Sequence, residues 1–198
     1  MTEAGLRNLY TSLILGGAIK ADVNSYSVKI TENRIPILKK YLTLAKLNDY
    51  FRFSYDTENH QLYFEITPLL VLLHKEWSGT FKEIEYISPS QLNINVFNLW
   101  ITFFHEVKNR KLYITSSHFT SDARDTLSVL YTEIMRYNIS YNNLFFMTDY
   151  REFFLQSYQN RRPLYEVDSL VRVLGPKEIS TLVKIRSEYD LKKGVQGL

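Results

Sequence analysis

The sequence predicts an α+β fold built from two similar halves, and two observations support this prediction. Helical stretches alternate with pairs of short strands in the order helix, strands, helix, strands, helix, and this order occurs twice along the 198 residues. A chain of this length also suits one domain or two small fused halves with a real core. We therefore expect a pseudo-twofold arrangement of two αββαββα-type halves, whose antiparallel sheets lie side by side as a saddle-shaped surface.

The first half is expected at residues 1–80. Its first helix should end near Gly16 and Gly17, followed by a hairpin and then by a helix that contains residues 37–42. The hairpin strands are predicted at 18–22 and 26–31, and a second pair at 50–55 and 61–67 flanks a polar loop. A short apolar helix at 68–77 should close this half.

The second half, with its linker, is expected at residues 81–165. An apolar helix near 96–106 should be followed by a strand at 110–116. The next helix has a clear start signal, because Thr120 or Ser121 can cap it and acidic residues follow in its first turn. Residues 166–198 are predicted to form a C-terminal helical extension, which caps the domain or docks on a partner.

One segment at the end of the first helix carries a family resemblance. Residues 12–22 read SLILGGAIKAD, which resembles the LAGLIDADG motif in either of two registers. The first register matches five of the motif letters and places Asp22 at the metal-binding acid. The second aligns residues 13–19 with the variant that ends a helix on Leu-Leu-Gly-Asp-Gly-Tyr, and it places Gly17 at the acid. We prefer the second, because it leaves room for a two-stranded hairpin.

Later segments resemble the same family in the same order. Residues 85–92 read EYISPSQL and resemble the linker Lys-Lys-x-Ile-Pro-x-x-Leu, and residues 97–107 stand where the family has its second motif helix. The resemblance covers roughly residues 2–165 and is to LAGLIDADG homing endonucleases and group I intron maturases, of the monomeric, two-motif, intron-encoded type. No single motif is specific, but the ordered set is.

The resemblance implies a catalytic centre that has degenerated. Family enzymes hold divalent metal with acidic ligands from both motif helices. Here Gly17 stands at the first acid and His105-Glu106 at the second, while Glu85-Tyr86 replaces a basic residue of the linker. We therefore expect no catalytic residue, no metal ligand and no cofactor. The alternative is an active enzyme that uses Mg²⁺ held by Asp22 and Glu106.

Composition limits the other functions. The chain has no Cys, which excludes thiolate metal sites and cysteine nucleophiles, and its net charge of +3 permits nucleic-acid binding without demanding it. We find no membrane-spanning run and no secretory or transit signal, so the protein is expected to be neither secreted nor membrane-bound. Abundant Tyr, Phe, Asn, Ile and Lys suit an AT-rich genome, which favours a mitochondrial, organelle-encoded protein.

The strand faces opposite the apolar ones are the predicted binding surface. Because side chains alternate along a strand, six cationic or tyrosine side chains should lie on that face. They are Lys20, Lys29, Arg52, Tyr63, Lys111 and Tyr113. The cations suit phosphates and the tyrosines suit bases, although a solvated sheet face has the same pattern. The isolated His60 and His118 are expected to be ordinary surface or loop residues.

These expectations lead to one functional hypothesis and two alternatives. The leading hypothesis is a monomeric nucleic-acid-binding protein that has lost cleavage, with structured RNA favoured over DNA. It would act as a splicing maturase or as a constituent of an organellar ribonucleoprotein such as a mitochondrial ribosome. The first alternative is an active, Mg²⁺-dependent, site-specific homing endonuclease. The second is a structural module that binds proteins, partly through residues 166–198.

Overall fold

A computed structural model of the chain describes residues 2–17, 20–21, 25–75, 77 and 83–153, with short pieces between 176 and 188. The first half contains α1 (Thr2–Gly16), β1 (Lys20–Ala21), β2 (Ser25–Lys29), α2 (Ile35–Leu44), β3 (Phe53–Asp56), β4 (Gln61–Glu65) and α3 (Pro68–Lys75). The second half contains α4 (Ile94–Phe104), β5 (Glu106–Lys108), β6 (Lys111–Thr115), α5 (Ser121–Met135), β7 (Ser140–Tyr141) and β8 (Phe145–Asp149), and a further helix begins at residue 150.

The strands form two antiparallel sheets with the same connectivity. Their orders are β1-β2-β4-β3 and β5-β6-β8-β7. In each half a hairpin precedes the middle helix and another follows it, and the inner strands of the two hairpins pair with each other. The predicted α+β class with two αββαββα-type halves is therefore confirmed.

Local sequence signals account for several helix ends. The side chain of Asn93 accepts hydrogen bonds from the backbone N–H groups of Asn95 and Val96 and so caps the start of α4. Thr120 caps α5 by accepting from Ala123 N at 3.3 Å, as the sequence predicts. At its other end α5 stops at Arg136, which has a left-handed φ of 63°.

The two central helices, α1 and α4, pack against each other between the halves. A Cβ atom added to Gly16 would lie 2.0 Å from Cε2 of Phe104, so the end of α4 occupies the space that a side chain at Gly16 would need. Residues 96–103 of α4 are all buried, and Trp100 packs against the rings of Tyr131 and Phe146. The predicted meeting of the two motif helices at the centre is confirmed.

Two expectations about elements need correction or fall outside the structure. The second motif helix ends at Phe104, one to two residues earlier than predicted, because the backbone of His105 is extended and Glu106 already pairs with Tyr113 in a strand. Of the predicted extension at 166–198, only pieces between 176 and 188 are described, and they are helical. In the described part of the chain no helix is long and apolar enough to cross a membrane.

Candidate functional site

A cleft of about 1110 Å³ lies between the halves at the ends of α1 and α4. Both helices end toward this cleft, and the segment after β2, the start of β5 and the end of β6 complete its wall. The side chains that matter for its chemistry are Lys29, Glu32, Arg34, His105, Glu106 and His118. The cleft is therefore the place where a catalytic metal would lie if the helix ends supplied acids.

The two helix ends supply different residues. Gly17 follows α1 and has no side chain, and its backbone N–H donates to Ile14 O at 3.3 Å. His105 follows α4 and is 2% exposed. Its Nδ1 lies 2.6 Å from Ile101 O, and since a carbonyl can only accept, Nδ1 carries the proton and Nε2 is left as a buried acceptor without a partner.

The environment of His105 keeps its imidazole neutral. Burial and, to a smaller extent, the nearby charge of Arg34 lower the pKa of His105 to about 3, although the bond to Ile101 O opposes both effects. A neutral, buried imidazole with its proton on Nδ1 closes the end of α4 as a cap. It does not present the negative charge that a metal-holding acid would.

Arg34 is the buried charge of the cleft. It is 3% exposed, and one of its terminal nitrogens donates to His105 O at 2.8 Å. Its Nε and its other terminal nitrogen are buried and have no hydrogen-bond partner. Burial lowers the pKa of Arg34 to about 10, and the charge of Glu106 opposes that shift, so the guanidinium remains protonated at neutral pH.

His118 is not the ordinary surface or loop histidine that its isolation in the sequence suggested. Its Nε2 donates to Leu15 O of α1 at 3.0 Å, which connects the second half to the end of the first helix. Burial lowers its pKa to about 4. His60 agrees better with the expectation, since it is exposed, and its Nδ1 lies 3.1 Å from the hydroxyl of Tyr55.

The residues at the helix ends do not fit a divalent metal centre. Glu106 is the one carboxylate directly after α4, it is exposed, and Gly17 and His105 supply none. Within the described ranges no three His, Asp or Glu side chains are grouped to hold a metal ion. Asp22, the other ligand of the alternative hypothesis, lies outside the described residues.

The first sheet places three of the predicted binding residues on its open face. Lys29 is exposed and pairs with Gln61, while the half-buried Tyr63 stands opposite Ser27. Arg52 precedes β3, is exposed, and accepts the backbone N–H of Glu65 on its carbonyl at 3.1 Å. The backbone of Lys20 lies in β1 and pairs with Ser27.

The second sheet places Lys111 and Tyr113 on its open face, with neighbours that the sequence pattern did not reveal. Lys111 is exposed and pairs with Asp149 on one side and with Lys108 on the other. Tyr113 stands between Glu106 and Met147, and its ring meets that of Phe145 edge to face at 5.9 Å. Both open faces therefore mix cations with acids, and the second also has an aromatic cluster.

Arg34 is the functional residue that the sequence analysis missed. It sits in a 3-10 turn, Glu32–Arg34, between β2 and α2, where a single Arg in a polar stretch resembles any surface cation. No local signal in the sequence marks it, because burial of a charged guanidinium is costly and nothing near it in sequence indicates a partner. Its contact with His105 depends on the packing of the two halves.

Comparison with known proteins shows the fold. No protein-family model matches the chain, and no curated protein sequence matches it significantly. Among solved structures, the homing endonuclease I-WcaI bound to its DNA recognition sequence is similar over 79% of this chain and 80% of its own, with a TM-score of 0.52 and 11% identity. A variant of I-DmoI in complex with its target DNA in the presence of Mn aligns over 80% of this chain and 94% of its own, with a TM-score of 0.48 and 12% identity.

The structure thus has the fold of a homing endonuclease. This agrees with the pseudo-twofold arrangement, the central helix pair and the two four-stranded sheets described above. At such low identity the likeness concerns the fold alone, so the function must be argued from the residues of this chain.

Proposed function

We propose that this protein binds nucleic acid on the open faces of its two sheets and does not cut it. The observation that carries the proposal is the pair of residues that follow the central helices, Gly17 and the buried neutral imidazole of His105. Cleavage by a metal clamp requires acidic ligands from both helices, to stabilise the attacking and leaving oxygens. A homing-endonuclease fold that lacks this pair retains the binding surface and loses the chemistry.

Structured RNA is the favoured partner. On the open faces Lys111 pairs with Asp149 and Arg52 lies beside Glu65, so binding to duplex DNA through phosphate contacts alone would be weak. Tyr63 and Tyr113 instead offer stacking and hydrogen bonds, which suit the unpaired bases of loops and bulges. The modest net charge of +3 points the same way.

We further propose that the protein acts as a splicing maturase or as a constituent of an organellar ribonucleoprotein such as a mitochondrial ribosome. Family members that have lost cleavage persist in such roles, and the composition suits an organellar genome. Residues 166–198 are the proposed site of any protein partner, beyond the two halves that we place at 1–80 and 81–165.

Isolation under nuclease-free conditions tests the partner. The protein is purified from its native source, and the nucleic acid that remains bound is sequenced. We expect one structured RNA, either an intron-containing transcript or a stable organellar RNA. Recovery of protein partners with no nucleic acid would contradict the proposal and favour the structural module.

The binding surface is tested by two matched sets of variants. Lys29, Arg52 and Lys111 should contact phosphates, so each change to Gln should flatten the log–log salt dependence of affinity by about 0.7 to 0.9. Tyr63→Ala and Tyr113→Ala should instead cost about 1 to 3 kcal/mol with little change in that slope. If neutralising the three cations leaves affinity unchanged while deletion of residues 176–198 abolishes it, the sheets are not the binding surface.

A second candidate function, an active Mg²⁺-dependent endonuclease, is favoured by one observation. Glu106 retains a carboxylate at the mouth of the cleft. This candidate predicts specific double-strand cleavage with Mg²⁺ or Mn²⁺ that Asp22→Asn and Glu106→Gln each abolish. Our proposal predicts no such cleavage.

A further inference from the structure

The buried guanidinium of Arg34 changes what the cleft can hold. Two of its nitrogens have no acceptor, and a buried donor without a partner is destabilising, more so when it carries a charge. Glu106 is near enough for its charge to act on Arg34, yet those donors remain without a hydrogen-bond partner. A missing acceptor is therefore part of this site.

The charges around the cleft differ in their exposure. Lys29, Glu32 and Glu106 are exposed, so water screens them, whereas Arg34 is 3% exposed. The formal charges of the three exposed residues and Arg34 sum to zero. The charge of Arg34 nevertheless has the stronger effect on a ligand in the cleft, because it lies in the interior, where the dielectric constant is lower. His105 and His118 face the same cleft and are held neutral by burial.

One further orphan atom narrows the chemistry of the ligand. The buried Nε2 of His105 is an acceptor without a partner. The backbone carbonyl of the same residue already accepts a hydrogen bond from Arg34. Arg34 offers donors and His105 offers an acceptor. A phosphate that carries one O–H group supplies both acceptor oxygens and one donor, whereas sulfate at neutral pH supplies acceptors alone.

We propose that the cleft between α1 and α4 binds a single phosphate-type oxyanion through Arg34, in the place where the family resemblance implies a divalent cation. The unpartnered atoms each expose less than 1 Å² in the structure. The guanidinium must therefore turn slightly toward the cleft as the anion enters. The anion is either free phosphate or a terminal phosphate monoester of bound nucleic acid, since an internal phosphodiester has no O–H group to donate to His105 Nε2, and the second source rests on the proposed function.

Titration of the full-length protein with inorganic phosphate at constant ionic strength tests the site. Saturable binding, followed by calorimetry and by the thermal midpoint, is the expected result. Arg34→Gln should weaken phosphate affinity by about tenfold to a hundredfold, as the loss of charge-assisted hydrogen bonds predicts. Lys39→Gln, which removes an exposed cation of α2, is the matched control and should change nothing. Equal affinity in Arg34→Gln and the wild type would overturn the proposal.

One further variant and a second anion separate the anion site from an internal ion pair. Glu106→Gln removes a competing acceptor, so it should strengthen phosphate binding. If Glu106 instead closes onto Arg34 and no anion binds, Glu106→Gln lowers the thermal midpoint and phosphate has no effect on either protein, which overturns the proposal. Sulfate should bind more weakly than phosphate if His105 Nε2 accepts from the ligand.

A measurement on the wild type keeps the proposal testable even if Arg34→Gln does not fold. The ¹⁵N spectrum of the arginine Nε–H groups is recorded with and without phosphate, and the Arg34 resonance is assigned with Arg34→Lys. A saturable shift of that resonance is expected. A spectrum in which only exposed arginines respond would contradict the site.

Two further experiments measure the binding of a metal ion and the competition between phosphate and nucleic acid. Mn²⁺ titrated into the wild type should retain the electron-spin resonance of the free ion, and tight binding that Glu106→Gln abolishes would overturn the proposal. If phosphate displaces a bound RNA oligonucleotide, the site takes a nucleic-acid phosphate. If phosphate and oligonucleotide bind together, the site takes free phosphate. Failure of the oligonucleotide to bind, with phosphate still bound, refutes the proposed function and leaves this inference intact.

Discussion

The two halves share one topology but differ at the ends of their central helices. Counted back from each helix end, Gly16 of α1 matches Phe104 of α4, and Ser12 matches Trp100. The first half thus provides small residues and the second half large ones. The end of α1 is held by His118 from the other half, whereas α4 is capped by its own His105.

This difference indicates how a duplicated scaffold can diverge without losing its fold. The large ring at Phe104 lies where Gly16 leaves space, so the asymmetry is complementary at the interface. Two equal helices would place either two large residues or two small ones at the same contact. Packing at this contact therefore limits the summed volume of the two side chains. It does not require acidic residues at the helix ends, so the acids of a catalytic centre can be lost without loss of the fold.

The largest expected effect comes from Trp100 and its counterpart Ser12. Trp100→Ala should lower the free energy of unfolding by about 3 to 5 kcal/mol, because the indole is fully buried against Tyr131 and Phe146. Ser12→Ala loses one bond to Leu9 O within its own helix and should cost less than about 1.5 kcal/mol. Urea unfolding measures both, and equal losses would contradict the asymmetry.

Gly16 should be the next most sensitive position. Gly16→Ala places Cβ inside the Phe104 ring and should cost about 1 to 3 kcal/mol through overpacking. Gly5→Ala is the control, since its nearest new contact is 3.6 Å and the helix gains by losing a glycine. The double variant Gly16→Ala with Phe104→Ala should recover part of the loss. Purely additive effects in that cycle would show that the two residues do not share the contact.

The link through His118 should make stability depend on pH. The folded pKa of about 4 lies below the unfolded value of 6.5, so between these pH values the unfolded chain binds more protons. Stability should therefore fall as the pH drops below about 6.5, by up to about 1.4 kcal/mol per pH unit for one imidazole. His118→Gln retains a donor for Leu15 O and should flatten this slope. An unchanged slope between pH 7 and pH 5 would contradict the neutral state of His118.

The acids on the open faces should have the smallest effect. Asp149→Asn removes the charge opposite Lys111, and Glu65→Gln does the same beside Arg52. Each should raise affinity for nucleic acid by at most about fivefold, the range of a cross-strand charge pair. Filter binding at low salt measures the change, with Asp125→Asn on α5 as the control. Weaker binding in either variant would show that these acids contact the ligand.

The fold was predictable because its signals are local and occur in order. Alternation placed the inner strands at 26–31, 61–67 and 110–116, close to where the structure has them, and Thr120 was identified as a helix cap. The second motif helix ended earlier than predicted, because the backbone of His105 is extended and Glu106 already belongs to β5. The exact end of a helix is the part that an apolar pattern predicts least well.

The site was less predictable, because its contacts join distant parts of the chain. Gly17 and His105 were predicted to lie at the ends of the two motif helices, at the positions where the family resemblance implies metal-binding acids. Arg34 meets His105 across 71 residues, and His118 reaches Leu15 across 103. Strand alternation gave the face of Lys111, but only the register revealed Asp149 opposite it.

One measurement tests the central claim most directly. The nucleic acid that co-purifies with the full-length protein is labelled, incubated with the protein and Mg²⁺, and divided between a native gel and a denaturing gel. We predict that the native gel shows a retained complex and that the denaturing gel shows intact nucleic acid. Specific cleavage that disappears in both Asp22→Asn and Glu106→Gln would contradict the account, because it would show that the helix ends still hold a catalytic metal.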